Sequence, residues 1–153
     1  MKDFSQTGIV VMDVCDPEKS CDYYLEKETN DRFVKYLDSR LNDLKHQGAK
    51  IIEINYLIDT HPDLSVKFDL STIDKDILYK YIEENKIKEL IYVGFHYPIC
   101  ITESRELGSY FLTNNDYLDK VSIAIQLTRS IKEDFNVPLH KTTEKYSVWQ
   151  VML

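Results

Sequence analysis

The chain has 153 residues, which suits one globular domain and is tight for two. Nineteen Lys and Arg against 26 Asp and Glu give a formal charge of −7, and no basic run stands out. That balance argues against a nucleic-acid backbone or an anionic membrane surface as partner, since both call for a concentrated basic face. Apolar residues make up 43%, no apolar run approaches the length of a membrane helix, and four Gly and four Pro exclude collagen-like or linker-like character.

Gly8 to Asp13 opens the periodic part of the chain as a continuous apolar run ending in an acid. This is the pattern of a central parallel strand covered on both faces, with Asp13 at its carboxyl edge. Residues 14–28 form a polar connection with Cys15, Cys21, Tyr23 and Tyr24. From Asn30 to His46 the period becomes helical, with Phe33, Val34, Leu37, Leu41 and Leu44 on one stripe and Gly48 placed to end it. Lys50 to Tyr56 is a second strand, Leu57 to Ser65 an irregular loop, and Val66 to Phe68 a short extended piece. Ser71-x-x-Asp74 resembles a capping box ahead of a helix that turns Ile77, Leu78, Tyr81 and Ile82 inward and ends near Asn85.

Glu89 to Gly94 is the next central strand, followed by a tight turn over Phe95 to Ile99 and a helix from Cys100 to Leu107. Val121 to Gln126 is another strand, Thr128 to Asp134 a short helix, and Lys145 to Leu153 an edge strand or docking tail. Alternating strands and helices make residues 1–153 a single doubly wound α/β domain. Ligands of such folds gather outside the carboxyl ends of the strands, which directs attention to Asp13, Tyr56 and Gly94.

Cys100 follows a buried strand and a short turn where a helix opens. Unpaired backbone N–H groups there favour thiolate and offer donors for an oxyanion. The position equally suits a buried structural thiol. Asp13, on the same rim of the sheet, suits a proton acceptor for that thiol or a loop-anchoring acid. Lys67 reads as a cation able to balance both or as a solvated surface residue. No P-loop is present, and Gly8 lacks the further glycines of a dinucleotide fingerprint. Cys15, Cys21 and Cys100 form an odd, sparse set that suits neither a disulfide framework nor a zinc site. With only the short apolar run Ile9 to Met12 near an early Asp3, no secretory leader is expected, and the setting expected is cytoplasmic.

The strand Gly-Ile-Val-Val-Met-Asp13 and the segment Ile91-Tyr-Val-Gly94, continuing Phe-His-Tyr-Pro-Ile-Cys100-Ile-Thr-Glu-Ser104, resemble the isochorismatase-like cysteine hydrolases. In that family a Gly stands six residues before the catalytic Cys and a small aliphatic residue follows it, as Gly94, Cys100 and Ile101 do here. Lys67, 33 residues before Cys100, precedes a capped helix and a strand in the family's order. The resemblance spans residues 7–126. It implies a three-layer, mainly parallel, Rossmann-like sheet and a triad of Asp13, Lys67 and Cys100. It also implies backbone amides near Ile99 and Cys100 for the oxyanion, with His96, Tyr97 and Ile99 in contact with substrate. The implied reaction is cleavage of a C–N bond in a small amide or carbamoyl compound, by a homo-oligomer without a cofactor.

Three departures stand out: Tyr97-Pro98 where the family carries Thr, Val14-Cys15-Asp16 where it carries an amide motif, and a shortened loop before Lys67. They favour the alternative of a noncatalytic ligand-binding or oligomeric protein that keeps the fold; a redox role for Cys100 is a third reading. Asp59-Thr-His61-Pro62 resembles the Asp-Trp-His-Pro segment of nicotinamidases, where acid and His hold a divalent ion. The second His of that pattern falls at Ser65, so no metal is expected.

Overall fold

The computed structural model describes residues 3–19, 21, 27–95, 101, 105–129 and 148–153. Six strands form one sheet: β1 (Thr7–Met12), β2 (Lys50–Ile54), β3 (Leu70–Ser71), β4 (Glu89–Phe95), β5 (Lys120–Arg129) and β6 (Trp149–Val151). They lie in the order β3-β2-β1-β4-β5-β6, and every ladder is parallel. The chain order reverses direction across the sheet between β1 and β4, the switch point at which doubly wound sheets open a crevice.

The alternation of β1 builds two cores. Val10 and Met12 pack with Ile52, Ile54, Leu90 and Tyr92 under α2 (Lys75–Glu84), on the face that also takes Leu107 and Leu112. Ile9 and Val11 pack with Ile51, Ile91 and Val93 under Val34, Leu37, Leu41 and Leu44 of α1 (Lys27–His46). A third, short helix, α3 (Ser109–Leu112), leads into β5. These are the three layers expected from the sequence.

Several boundaries differ from expectation for identifiable reasons. Asp13 leaves the ladder in a left-handed conformation, φ 49°, so β1 ends at Met12. The strand beside β2 is Leu70–Ser71 instead of Val66 to Phe68; Asp69 sets its register, its N–H donating to Ile51 O and its carboxylate accepting from Ile51 N–H. Asp74 is itself the N-cap of α2, accepting from the N–H groups of Asp76 and Ile77, while Ser71 Oγ donates to Glu53. Ile77 is half exposed, and Leu78 and Ile82 carry the buried stripe. Residues 105–107 form a bend and turn where the end of the helix from Cys100 was expected, and Gly108 is the N-cap of α3. Thr128 and Arg129 extend β5 instead of opening a helix. Of the tail, Trp149–Val151 is the edge strand. The remainder of the helix expected at 128–134 lies outside the described residues.

Against the expectation that the three cysteines suit no disulfide framework, Cys15 and Cys21 form a disulfide, with Cα atoms 6.1 Å apart. The six-residue separation carried no signature of a scaffold, but the chain turns back between them: the Lys19 and Cys21 N–H groups both donate to Asp16 O. Among the described residues no helix is long and apolar enough to cross a membrane.

Candidate active site

Asp13 is the best-defined part of the site. It stands one residue beyond β1, fully buried, with its N–H bonded to Ile54 O at 3.0 Å. Asp is among the few residues that tolerate a positive φ, and such conformations cluster at functional sites. The turned backbone sends the carboxylate across the end of the sheet. Oδ1 accepts from Tyr56 N–H at 2.8 Å and Oδ2 from Arg105 Nε–H at 3.0 Å. A carboxylate with no exposure requires such compensation, because desolvation otherwise makes the charged form costly.

Arg105 carries no sequence signature of its own, yet among the described residues it is a cation that meets Asp13. Its guanidinium carbon lies 4.8 Å from the centre of the Tyr56 ring, and its side chain retains 27% exposure. Leu107, two residues on, is held by its backbone on both sides. Leu107 N–H donates to Tyr56 Oη at 3.2 Å, and Tyr92 Oη–H donates to Leu107 O at 2.7 Å. Burial pushes the Tyr56 hydroxyl above its ordinary range, and nearby Glu106 and Asp13 add to this; the Leu107 N–H and Arg105 pull the other way. Burial holds the Tyr92 hydroxyl well above its ordinary range. Both tyrosines are therefore neutral framework groups at ordinary pH. The only sequence signal for Arg105 was its place five residues after Cys100.

Lys67 is not brought to Asp13. It is exposed and precedes β3, and its carbonyl accepts from Lys45 Nζ in the last turn of α1. Asp69 stands opposite Ile51 and Asp13 opposite Asn55, as the registers Ile52↔Leu70 and Met12↔Ile54 require. Four residues of rise and two strand spacings put Asp69 on the order of 15 Å from Asp13, and Lys67 lies further toward the amino edge of the sheet. A Lys side chain does not bridge that gap. His96, Tyr97, Ile99 and Cys100 lie outside the described residues. The strand that leads to them, β4, ends beside β1, with Met12 opposite Gly94.

Gly94 has φ +103°, and a Cβ there would stand 2.5 Å from Met12 O and 3.0 Å from Val14 Cγ2. The same residue follows a register shift between β4 and β5. Only glycine permits this close approach, which brings the exit of β4 against the exit of β1. The loop after β2 folds over the same end: Cys15 and Thr60 form an antiparallel bridge, and His61 N–H donates to Val14 O.

His61 is buried and fully engaged. Nδ1 accepts from Asp63 N–H at 3.0 Å, so in the neutral ring Nε2 carries the proton and meets Asp31 Oδ1 at 2.8 Å. Asp31, His61 and Asp63 bring ligand-type atoms within 4.8 Å of one another, but the ring as bonded has no lone pair to offer a cation. Ser65, at the position of the second His of the nicotinamidase pattern, donates Oγ–H to Asp38 at 2.6 Å. The residues present do not fit the divalent ion of that pattern; they pin the loop to α1.

No protein-family model matches the sequence, and no curated protein sequence matches it. Solved structures do match. An isochorismatase-like hydrolase from Alkaliphilus metalliredigens aligns with a TM-score of 0.70 at 14% identity, over 97% of this chain and 94% of that one. The MAR1 ribonuclease of Caenorhabditis elegans aligns with a TM-score of 0.66 at 14% identity, over 99% and 79%. A zinc complex of the pyrazinamidase of Pyrococcus horikoshii aligns with a TM-score of 0.60 at 12% identity, over 97% and 99%. The chain thus has the isochorismatase-like fold, which in these structures accompanies more than one named activity.

Proposed function

We propose that this chain, built on the isochorismatase-like fold, is a hydrolase that cleaves a C–N bond in a small amide or carbamoyl compound, with Cys100 as nucleophile and Asp13 as proton carrier. The observation that carries the reading is the buried Asp13 carboxylate at the switch point, at the end of β1 against which the Cys-bearing segment leaves β4. In this mechanism Asp13 takes the thiol proton as sulfur attacks the carbonyl carbon. Donors near Ile99 and Cys100 hold the oxyanion, and Asp13 returns the proton to the departing amine. Asp13 then takes a proton from water as the water oxygen attacks the thioester carbon, and it returns that proton to the Cys100 sulfur as the C–S bond breaks and the acid product is released. His96 and Tyr97 are assigned to the substrate pocket.

Pyrazinamidase, among the structures that share the fold, supports an amide as the substrate class. A homo-oligomer remains part of the proposal, supported by Trp149 and Met152, which are 61% and 80% exposed on and beside the edge strand; a cytoplasmic setting also remains part of it, with the Cys15–Cys21 disulfide weighing against a reducing compartment. The separation of Lys67 from Asp13 favours the rival, a noncatalytic protein that retains the fold. A screen of small primary amides and carbamoyl compounds for ammonia release decides between them. Turnover by the parent that is lost in Cys100→Ser supports the hydrolase; identical rates in both, or none across the panel, favour the rival.

A further inference from the structure

We infer that Arg105 is the positioning cation for Asp13, filling the role that the family resemblance implied for Lys67; the inference rests on the hydrolase reading for its catalytic meaning. Three independent features place it. The Nε–H to Oδ2 contact is 3.0 Å, within the range of a charge-assisted hydrogen bond to a carboxylate with no solvent exposure. The guanidinium lies over the Tyr56 ring at 4.8 Å, while the N–H of Tyr56 takes the other carboxylate oxygen, so one residue orients both partners. The backbone that carries Arg105 is fixed at Leu107 by the Tyr56 and Tyr92 hydroxyls. Lys67, by contrast, has its exposed side chain at the opposite edge of the sheet.

The substitution changes the chemistry available to the site. A Lys beside the acid is able to exchange a proton with it, whereas a guanidinium stays charged throughout. Arg105 therefore holds the Asp13 carboxylate ionised and oriented without competing for the thiol proton. Asp13 is left as the proton carrier.

The test is a titration of Asp13 by carbon NMR in the full chain, labelled with carboxyl-13C aspartate and assigned with Asp13→Asn. Among the described residues Arg105 and the Tyr56 N–H contact the Asp13 carboxylate, and the Tyr56 hydroxyl feels its charge. Arg105→Gln is expected to raise the Asp13 midpoint by about one pH unit or more, Arg105→Lys to restore part of the shift, and Lys67→Gln to leave it in place. An unchanged midpoint in Arg105→Gln, or an equal shift in Lys67→Gln, overturns the inference. Circular dichroism of each variant excludes unfolding as the source of a shift, and Arg105→Lys serves if Arg105→Gln does not fold. The titration needs no turnover: an Asp13 shift beside an unreactive Cys100 would retain Arg105 as the counter-charge and remove the hydrolase reading.

Discussion

At the residue scale, the site depends on two unusual backbone positions at neighbouring strand ends. Asp13 turns its carboxylate across the sheet end because φ is 49°, and Gly94 lets β4 pass Met12 O at a distance no side chain tolerates. Gly94→Ala combines a forbidden contact with a disfavoured φ, so it should destabilise the fold by more than about 2 kcal/mol. A urea unfolding midpoint lowered to match would show this, and an unchanged midpoint would contradict it. Asp13 and Gly94 were legible in the sequence because an acid closing an apolar run and a glycine ending another are local signals. Arg105 was not legible, since its meaning comes from contacts with Asp13, 92 residues away, and Tyr56, which no local pattern encodes. Lys67 misled for the same reason: its distance along the chain from Cys100 suited the family pattern, whereas the register of β3, set by Asp69, carries it to the other edge.

At the element scale, α1 holds the loop between β2 and β3 through three polar residues spaced by seven. Asp31 meets His61. The Asp38 carboxylate accepts from the N–H groups of Ser65 and Val66 and from Ser65 Oγ–H, and Lys45 donates to Lys67 O and Asp69. Seven residues are close to two helical turns, so all three lie on one stripe beside the apolar one. The apolar stripe was readable from its period; the polar stripe was not, because nothing in the helix sequence names its partners. Asp38→Ala removes three acceptor contacts, two of them from backbone amides that share Oδ1. It should cost about 1–3 kcal/mol and speed hydrogen exchange at Ser65 and Val66 ahead of the strand amides. Exchange that stays as slow as in the parent would mean the loop is held by other contacts.

At the scale of the whole molecule, the alternation of apolar runs was enough to find the parallel sheet and its layers, since buried central strands read the same way from sequence as they fold. The edges read less well: β3 has two residues and β6 three, too short for periodicity. Two of the eleven tyrosines, Tyr56 and Tyr92, fix the backbone of Leu107 on both sides inside the fold. Their buried hydroxyls ionise in the folded state only above the ordinary value of 10.0. The unfolded chain releases those protons first, so stability is intact below about pH 10 and falls as pH rises beyond it. Tyr92→Phe should flatten that alkaline decline while lowering stability at neutral pH by about 1 kcal/mol through the lost bond to Leu107 O. Thermal melts between pH 7 and 11 measure both, and parallel curves for the two proteins would refute the assignment.

The central claim, an activated Cys100 served by Asp13, is tested most directly by the pH dependence of Cys100 alkylation, located by peptide mass, in the parent and in Asp13→Asn. The account predicts a thiol that reacts near or below pH 7 in the parent and is markedly slower there in Asp13→Asn. Reaction that rises only near pH 8.5, as for an ordinary thiol, and alike in both proteins, would contradict it.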